Sequence, residues 1–148
     1  MSTNDEVTET TENGEDFPTL KIRMVRPMPG LETHLDFNLS AVDETGVLWT
    51  LKSTSDPNVR LFAVPPIAFF DGYTPMIPTS ARERIGMQRG DDDPFILVIV
   101  HPATGSYPHT ANLLAPLVIN PENMNAVQVV LEDQDWPLQA PIGDPKES

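Results

Sequence analysis

At 148 residues the chain is long enough for one domain with a buried core and short for two. It has no cysteine, which removes disulfides, thiolate catalysis and Cys-bound metals, and it has no apolar run long enough for a transmembrane helix. A formal charge of −13 argues against direct nucleic-acid binding and suits a basic protein partner, although plain solubility is the more general use of such a charge.

In chain order, residues 1–16 hold Asp5, Glu6, Glu9, Glu12, Glu15 and Asp16 and no Lys or Arg. So polar a segment cannot bury enough apolar surface to offset its ordering entropy, and it reads as a disordered acidic tail. It has neither the basic start nor the apolar centre of a signal or transit peptide, so the expected location is the cytoplasm and no membrane contact is expected. Residues 17–140 read as the ordered domain, and 141–148 as a short flexible C-terminal tail.

Within the domain, strand signals repeat. Leu20, Ile22 and Met24 alternate with Lys21 and Arg23, and Leu35, Phe37 and Leu39 alternate with Asp36 and Asn38. Val47, Trp49 and Leu51 share a face. Val59–Val64 follows the Asp56-Pro57-Asn58 turn. Phe95–Val100 is apolar throughout, which places both of its faces in apolar surroundings. Leu117-Val118-Ile119 and Val127–Leu131 form two further strands around the turn Pro121–Asn125. One short helix is expected at Ser80-Ala81-Arg82-Glu83, with Ser80 as N-cap, Glu83 completing a capping box and Gly86 ending it. The 16 prolines oppose long helices. Many short strands with frequent turns give a mostly β fold, a small closed or semi-closed antiparallel β-barrel with one short helix.

No group is arranged for catalysis. His34, His101 and His109 lack metal-ligand spacing, and there is no nucleophile elbow, triad signature or phosphate-binding Gly-rich loop. Asp91-Asp92-Asp93 lies between Gly90 and Pro94 and reads as a solvated loop rather than a cation site. No cofactor, no metal and no enzymatic activity are expected.

The stretch His109–Leu131, with its T-A-N-L-x-A-P segment, the apolar pair and Asn120, then A-x-Q-V-V-L, resembles the C-terminal half of the FliW family of bacterial flagellar assembly factors. Upstream, Pro27–Glu32 looks like the family's G-L-P-G-F segment, Phe37-Asn38-Leu39 its F-x-L strand and Leu51-Lys52-Ser53 its L-Q-S. Ile67–Tyr73 looks like its F-F-x-x-Y loop, and Phe95–Val100 its apolar strand. The match covers roughly residues 17–138. Pro27 and Leu31 stand where the family usually has Gly and Phe, Val64-Pro65-Pro66 lacks the usual Asp, and the tail of residues 1–16 is additional. The resemblance implies a cytoplasmic protein that binds flagellin. Once released, it would bind and allosterically antagonise CsrA, an RNA-binding translational repressor. Negative charge placed near the RNA path would add a salt-dependent component.

The candidate partner-binding residues are Phe69, Phe70 and Tyr73 in a Pro- and Gly-bounded loop, with Asn112, Leu113, Asn120 and Gln128. Each has a framework reading beside the functional one. Aromatics plug the ends of small barrels, Asn caps turns, and Gln128 points opposite to Val127 and Val129. Ile67–Phe70 is the segment expected to carry any exposed apolar patch. The competing function is a small-molecule or carbohydrate-binding β-barrel, which would need a deep pocket lined by Trp49, Tyr73 or Trp136. An acidic scaffold of the same fold with neither partner is a third possibility.

Overall fold

The computed structural model describes residues 19–88, 93–103 and 109–142. Nine strands are present among them: β1 (Thr19–Met24), β2 (Asp36–Ala41), β3 (Trp49–Ser53), β4 (Arg60–Val64), β5 (Phe95–His101), β6 (Thr110–Ala111), β7 (Leu117–Ile119), β8 (Asn125–Gln128) and β9 (Ala140–Pro141). Helix α1 spans Thr79–Arg84, and a 3-10 turn spans Pro66–Ala68.

β1 to β5 form an antiparallel meander. β5 then uses its second edge twice. Phe95–Leu97 pair with β7, and Val100 and His101 pair with β6, which in turn holds β9. β7 turns back into β8, and β8 lies beside β1 at Arg23↔Asn125 and Met24↔Ala126, closing a ring of seven strands. This last pairing is parallel, an exception within the antiparallel barrel that the sequence implies. The reason is parity: strand direction cannot alternate all the way round a ring with an odd number of members.

The alternating residues read from the sequence fill the ring. Ile22, Phe37, Leu39, Leu51, Leu97, Leu117, Ile119 and Ala126 are fully buried in one cluster, with Met24, Met28, Ala63 and Ile99. Trp49 packs at the rim, edge-on to Phe95 at 6.1 Å, and its indole N–H donates to Gly46 O at 2.9 Å. A barrel this small is filled by its own side chains.

Two smaller clusters coat part of the outside. Ala81 of α1 and Ile85 at its C-cap, with Met87, cover Val118 and Val127. Phe69, Phe70, Tyr73, Leu113 and Trp136 cover Val64 and Val98. Phe95–Val100 therefore meets apolar neighbours on both faces, as its unbroken apolar run implies.

Local geometry differs from the sequence reading at three places. α1 begins at Thr79 with Pro78 at the N-cap, and neither Pro78 nor Ser80 makes a side-chain cap, so the expected capping box does not form. Proline sets extended backbone at the N-cap position and places that cap two residues before Ser80. The C-terminus follows expectation: Gly86 has φ +86°, its N–H donates to Glu83 O at 3.0 Å, and Met87 N–H donates to Arg82 O at 2.8 Å. These two bonds are a Schellman motif. The strand read over Val127–Leu131 is regular only at Asn125–Gln128. Pro116 precedes β7 and has no N–H for the ladder, so Val129 and Leu131 donate to Pro116 O and Leu114 O instead. Finally, Pro141 pairs with Thr110, and Ile142 N–H donates to His109 O at 2.9 Å, so a segment read as the start of a loose tail is tied to the sheet. The acidic segment 1–16, Asp91, Asp92 and residues 143–148 lie outside the described residues.

Candidate functional site

The connection from β4 to α1 carries four prolines, Pro65, Pro66, Pro75 and Pro78, which keep it out of the ladders and set its path. Pro66 opens the 3-10 turn and is buried, and Phe69 and Phe70 N–H groups close the turn on Pro66 O at 3.0 and 2.8 Å. Burying Pro66 turns Ile67 outward, where it is 76% exposed.

Tyr73 anchors the middle of this connection. Its hydroxyl donates to Leu113 O at 2.7 Å, and its ring lies edge-on to Trp136 at 4.7 Å. Burial pushes the Tyr73 phenol well above its ordinary value, so the group stays protonated as a donor. Gln134 fixes the far end: its amide N–H donates to Met76 O at 2.9 Å and its Oε1 accepts from Met76 N–H at 2.9 Å and from the Trp136 indole at 3.1 Å. Held this way, Met76 is 71% exposed.

Between this connection and the start of β5 lies an open groove of about 540 Å3, walled by prolines with Phe70, Tyr73 and Ile96. Arg82 of α1 stands at its rim, 3.8 Å from the exposed Asp93 carboxylate. Ile67, Pro75 and Ile77 line this largely apolar channel with a charged edge, which has the chemistry of a peptide-docking surface.

Of the seven candidate residues, Phe69, Phe70, Tyr73 and Leu113 come together in one cluster, and Phe70 and Tyr73 line the groove. The remaining candidates make framework contacts. Asn112 Oδ1 accepts from Leu114 and Ala115 N–H at 3.1 Å each. Asn120 is buried; its amide donates to Ile85 O at 2.8 Å and its Oδ1 accepts from Glu122 N–H. Gln128 donates to Ala115 O at 3.1 Å. Sequence reasoning missed Met76, Pro75 and Arg82. The crowding of prolines over residues 65–78 was the available signal, since such a segment lies on a sheet rather than in it.

Of the residues named for a small-molecule pocket, Tyr73 lines the open groove on the outside of the barrel rather than an enclosed interior cavity. Trp49 belongs to the barrel core, while Tyr73 and Trp136 stack on each other outside it with their polar hydrogens already donated. Among the described residues, no three His, Asp or Glu side chains gather as metal ligands, and no helix is long and apolar enough to cross a membrane.

A filled seven-stranded barrel with an apolar groove on its outer surface belongs to the class of small β-barrel proteins that present a surface rather than an interior cavity. The sequence model of the FliW protein family matches residues 3–142, which includes most of the acidic segment that the sequence reading set outside the family pattern. The chain is 31% identical over 116 residues to the flagellar assembly factor FliW of Bacillus subtilis, covering 78% of this chain and 80% of that one. It is 34% identical over 131 residues to the flagellar assembly factor FliW of Symbiobacterium thermophilum, covering 85% and 81%. A crystal structure of the flagellar assembly factor FliW superposes with a TM-score of 0.74 at 24% identity, over 90% of this chain and 88% of that one, and shares the fold. The protein belongs to the FliW family, a family of assembly factors rather than enzymes.

Proposed function

We propose that this protein is a cytoplasmic flagellar assembly factor that binds flagellin and, when flagellin leaves, binds CsrA and antagonises it allosterically, relieving repression of flagellin translation. The observation that carries the reading is the groove lined by Ile67, Phe70, Tyr73 and Ile77: Ile67 is 76% exposed at its edge, and Met76, 71% exposed, lies in the chain between the lining residues Pro75 and Ile77. A surface of this kind takes an apolar or amphipathic segment of a protein partner. Two partners sharing it exclude one another, and a difference of about 1.4 kcal/mol in binding shifts occupancy tenfold.

The test is a competition titration. Labelled flagellin-leader RNA is bound to CsrA from the same source, this protein is added, and flagellin follows. The expected outcome is release of the RNA by the protein and its recapture when flagellin is added. Ile67→Asp and Met76→Asp, both at exposed positions, should leave the fold intact and weaken flagellin binding by about tenfold or more. A protein that binds neither partner would withdraw the proposal. Binding of both partners with both variants unaffected would move the site away from the groove.

A further inference from the structure

The outward face of β1–β4 is chemically unlike the rest of the molecule. Lys21 pairs with Asn38, Asn38 with Lys52, and Lys52 with Arg60, so three cations lie in one row crossing four strands. Arg23 stands beside the row and is the one of these cations with an ion pair, at 3.1 Å to Asp36. Among the described residues, Lys21, Lys52 and Arg60 have no carboxylate partner, and Arg60 lies over the Phe62 ring at 5.3 Å. In a chain of net charge −13 with nine basic residues, four of them gather on this face. Like charges directly opposite on neighbouring strands, as at Lys52 and Arg60, repel and destabilise the sheet.

The sequence supplies a matching anion. Eighteen residues precede Thr19, the first residue of β1, which itself carries Lys21. They contain six acids and no Lys or Arg, and Glu6, Glu9, Glu12 and Glu15 recur every third residue. In extended chain, three residues span about 10 Å, and two strand spacings from Lys21 to Lys52 also come to about 10 Å. The repeat of carboxylates therefore matches the step from Lys21 to Lys52, while Arg60 stands one strand spacing, about 5 Å, beyond Lys52, so one carboxylate can face both.

We propose that the acidic N-terminal segment docks on this row, one of its every-third glutamates facing Lys21 and the next facing the Lys52–Arg60 pair. Tethered at β1, the segment acts at an effective concentration in the millimolar range, so weak individual contacts suffice. It covers the cationic strip of an anionic protein, and an acidic segment of any other molecule must displace it to reach that strip. The inference is independent of the groove, which lies on the part of the surface coated by the Pro-rich connection.

The absence of cysteine allows the test on the full-length chain. Thr10→Cys carries a nitroxide label, and broadening of backbone amide signals is recorded at about 0.05 M salt and again at about 0.5 M, where surface charge is screened. The expected result is strong, at least about twofold, loss of signal at Lys21, Asn38, Lys52 and Arg60 at low salt, recovered at high salt. It should also be abolished by Lys52→Glu with Arg60→Glu, and by Gln at positions 6, 9, 12 and 15. Lys52 and Arg60 are exposed, and the same spectra confirm that the barrel stays folded. Three results would overturn the proposal: broadening spread evenly over the surface, broadening unchanged by charge reversal, or broadening that fades on dilution and so reports a second copy.

Discussion

The inside of the barrel is alike all the way round, but its two outer sides are not. Over β5, β7 and β8, the outward residues Val98, Val118 and Val127 are buried under α1 and the Pro-rich connection. Over β1, β2 and β3, the outward residues are Lys21, Asn38, Ser40 and Lys52, and they stand in solvent or half in it. The difference shows how one ring of strands supports two kinds of surface. A second apolar layer builds a groove where it stops short, at Ile67 and Ile77, and the uncovered side is free to carry charge.

The largest test of this contrast places the same charge on both sides. Val118 is fully buried beneath α1, so Val118→Lys leaves an unpaired ammonium in an apolar layer. The expected loss is at least about 3 kcal/mol, a large share of a typical domain stability of about 5–15 kcal/mol. Ser40→Lys on the bare side loses its hydrogen bond to Thr19 and little else, and should cost less than about 1 kcal/mol. Urea unfolding of the pair measures both. Comparable losses would mean that the bare face is structurally engaged.

A sharper test addresses what holds the cover in place. Gly86 ends α1 at φ +86°, and an added Cβ would sit 2.9 Å from Asn123 Nδ2. Asn120 and Asn123 both donate to Ile85 O, at 2.8 and 3.1 Å, so the turn after β7 grips the end of the helix. Gly86→Ala combines left-handed backbone strain of about 1–2 kcal/mol with displacement of that grip. Amide exchange should accelerate in α1 and around Ile85 while the β1–β4 meander keeps its protection. Uniform acceleration would mean that the cover and the barrel open together.

How much of this was legible in the residues depends on the side of the barrel. Strands with one solvent face alternate, and Ile22, Phe37, Leu39 and Leu51 were placed inward by that alternation alone. Strands covered on both faces announce it by unbroken apolar runs, as at Phe95–Val100 and Leu117–Ile119. The two-residue strands β6 and β9 left no period to read, and the parallel closure between β1 and β8 is a property of the ring rather than of either strand. The groove was half legible. Ile67, Phe70 and Tyr73 stood out as a loop of large side chains, but their partners Pro94 and Ile96 come from a strand far along the chain. Local pattern carries no register between such distant segments. Asn120 illustrates the opposite limit, since the same amide beside a turn suits a partner or a helix end, and only its distance to Ile85 O shows which contact it makes here.

The smallest expected effect separates the cover from the barrel by pH. Tyr73 ties the Pro-rich connection to Leu113 O, and burial raises its phenol above the ordinary value of 10.0. Below about pH 10 the folded and unfolded forms both hold the proton, and this contribution to stability is fully present. Above it the unfolded chain gives up its proton first, so stability falls as pH rises toward the folded value, by at most about 1.4 kcal/mol per pH unit for one group. Tyr73→Phe removes the phenol and leaves Leu113 O without that donor, at a cost of about 1 kcal/mol near neutral pH. The variant should therefore lose stability at pH 7 yet show a shallower decline above pH 10, so that the two urea-unfolding curves converge as pH rises. Because every other lysine, arginine and tyrosine is common to both chains, the difference between their slopes isolates Tyr73. Parallel slopes would mean that the phenol is reached by water in the folded protein, and that the cover over Val64 and Val98 is looser than the edge-on packing against Trp136 requires.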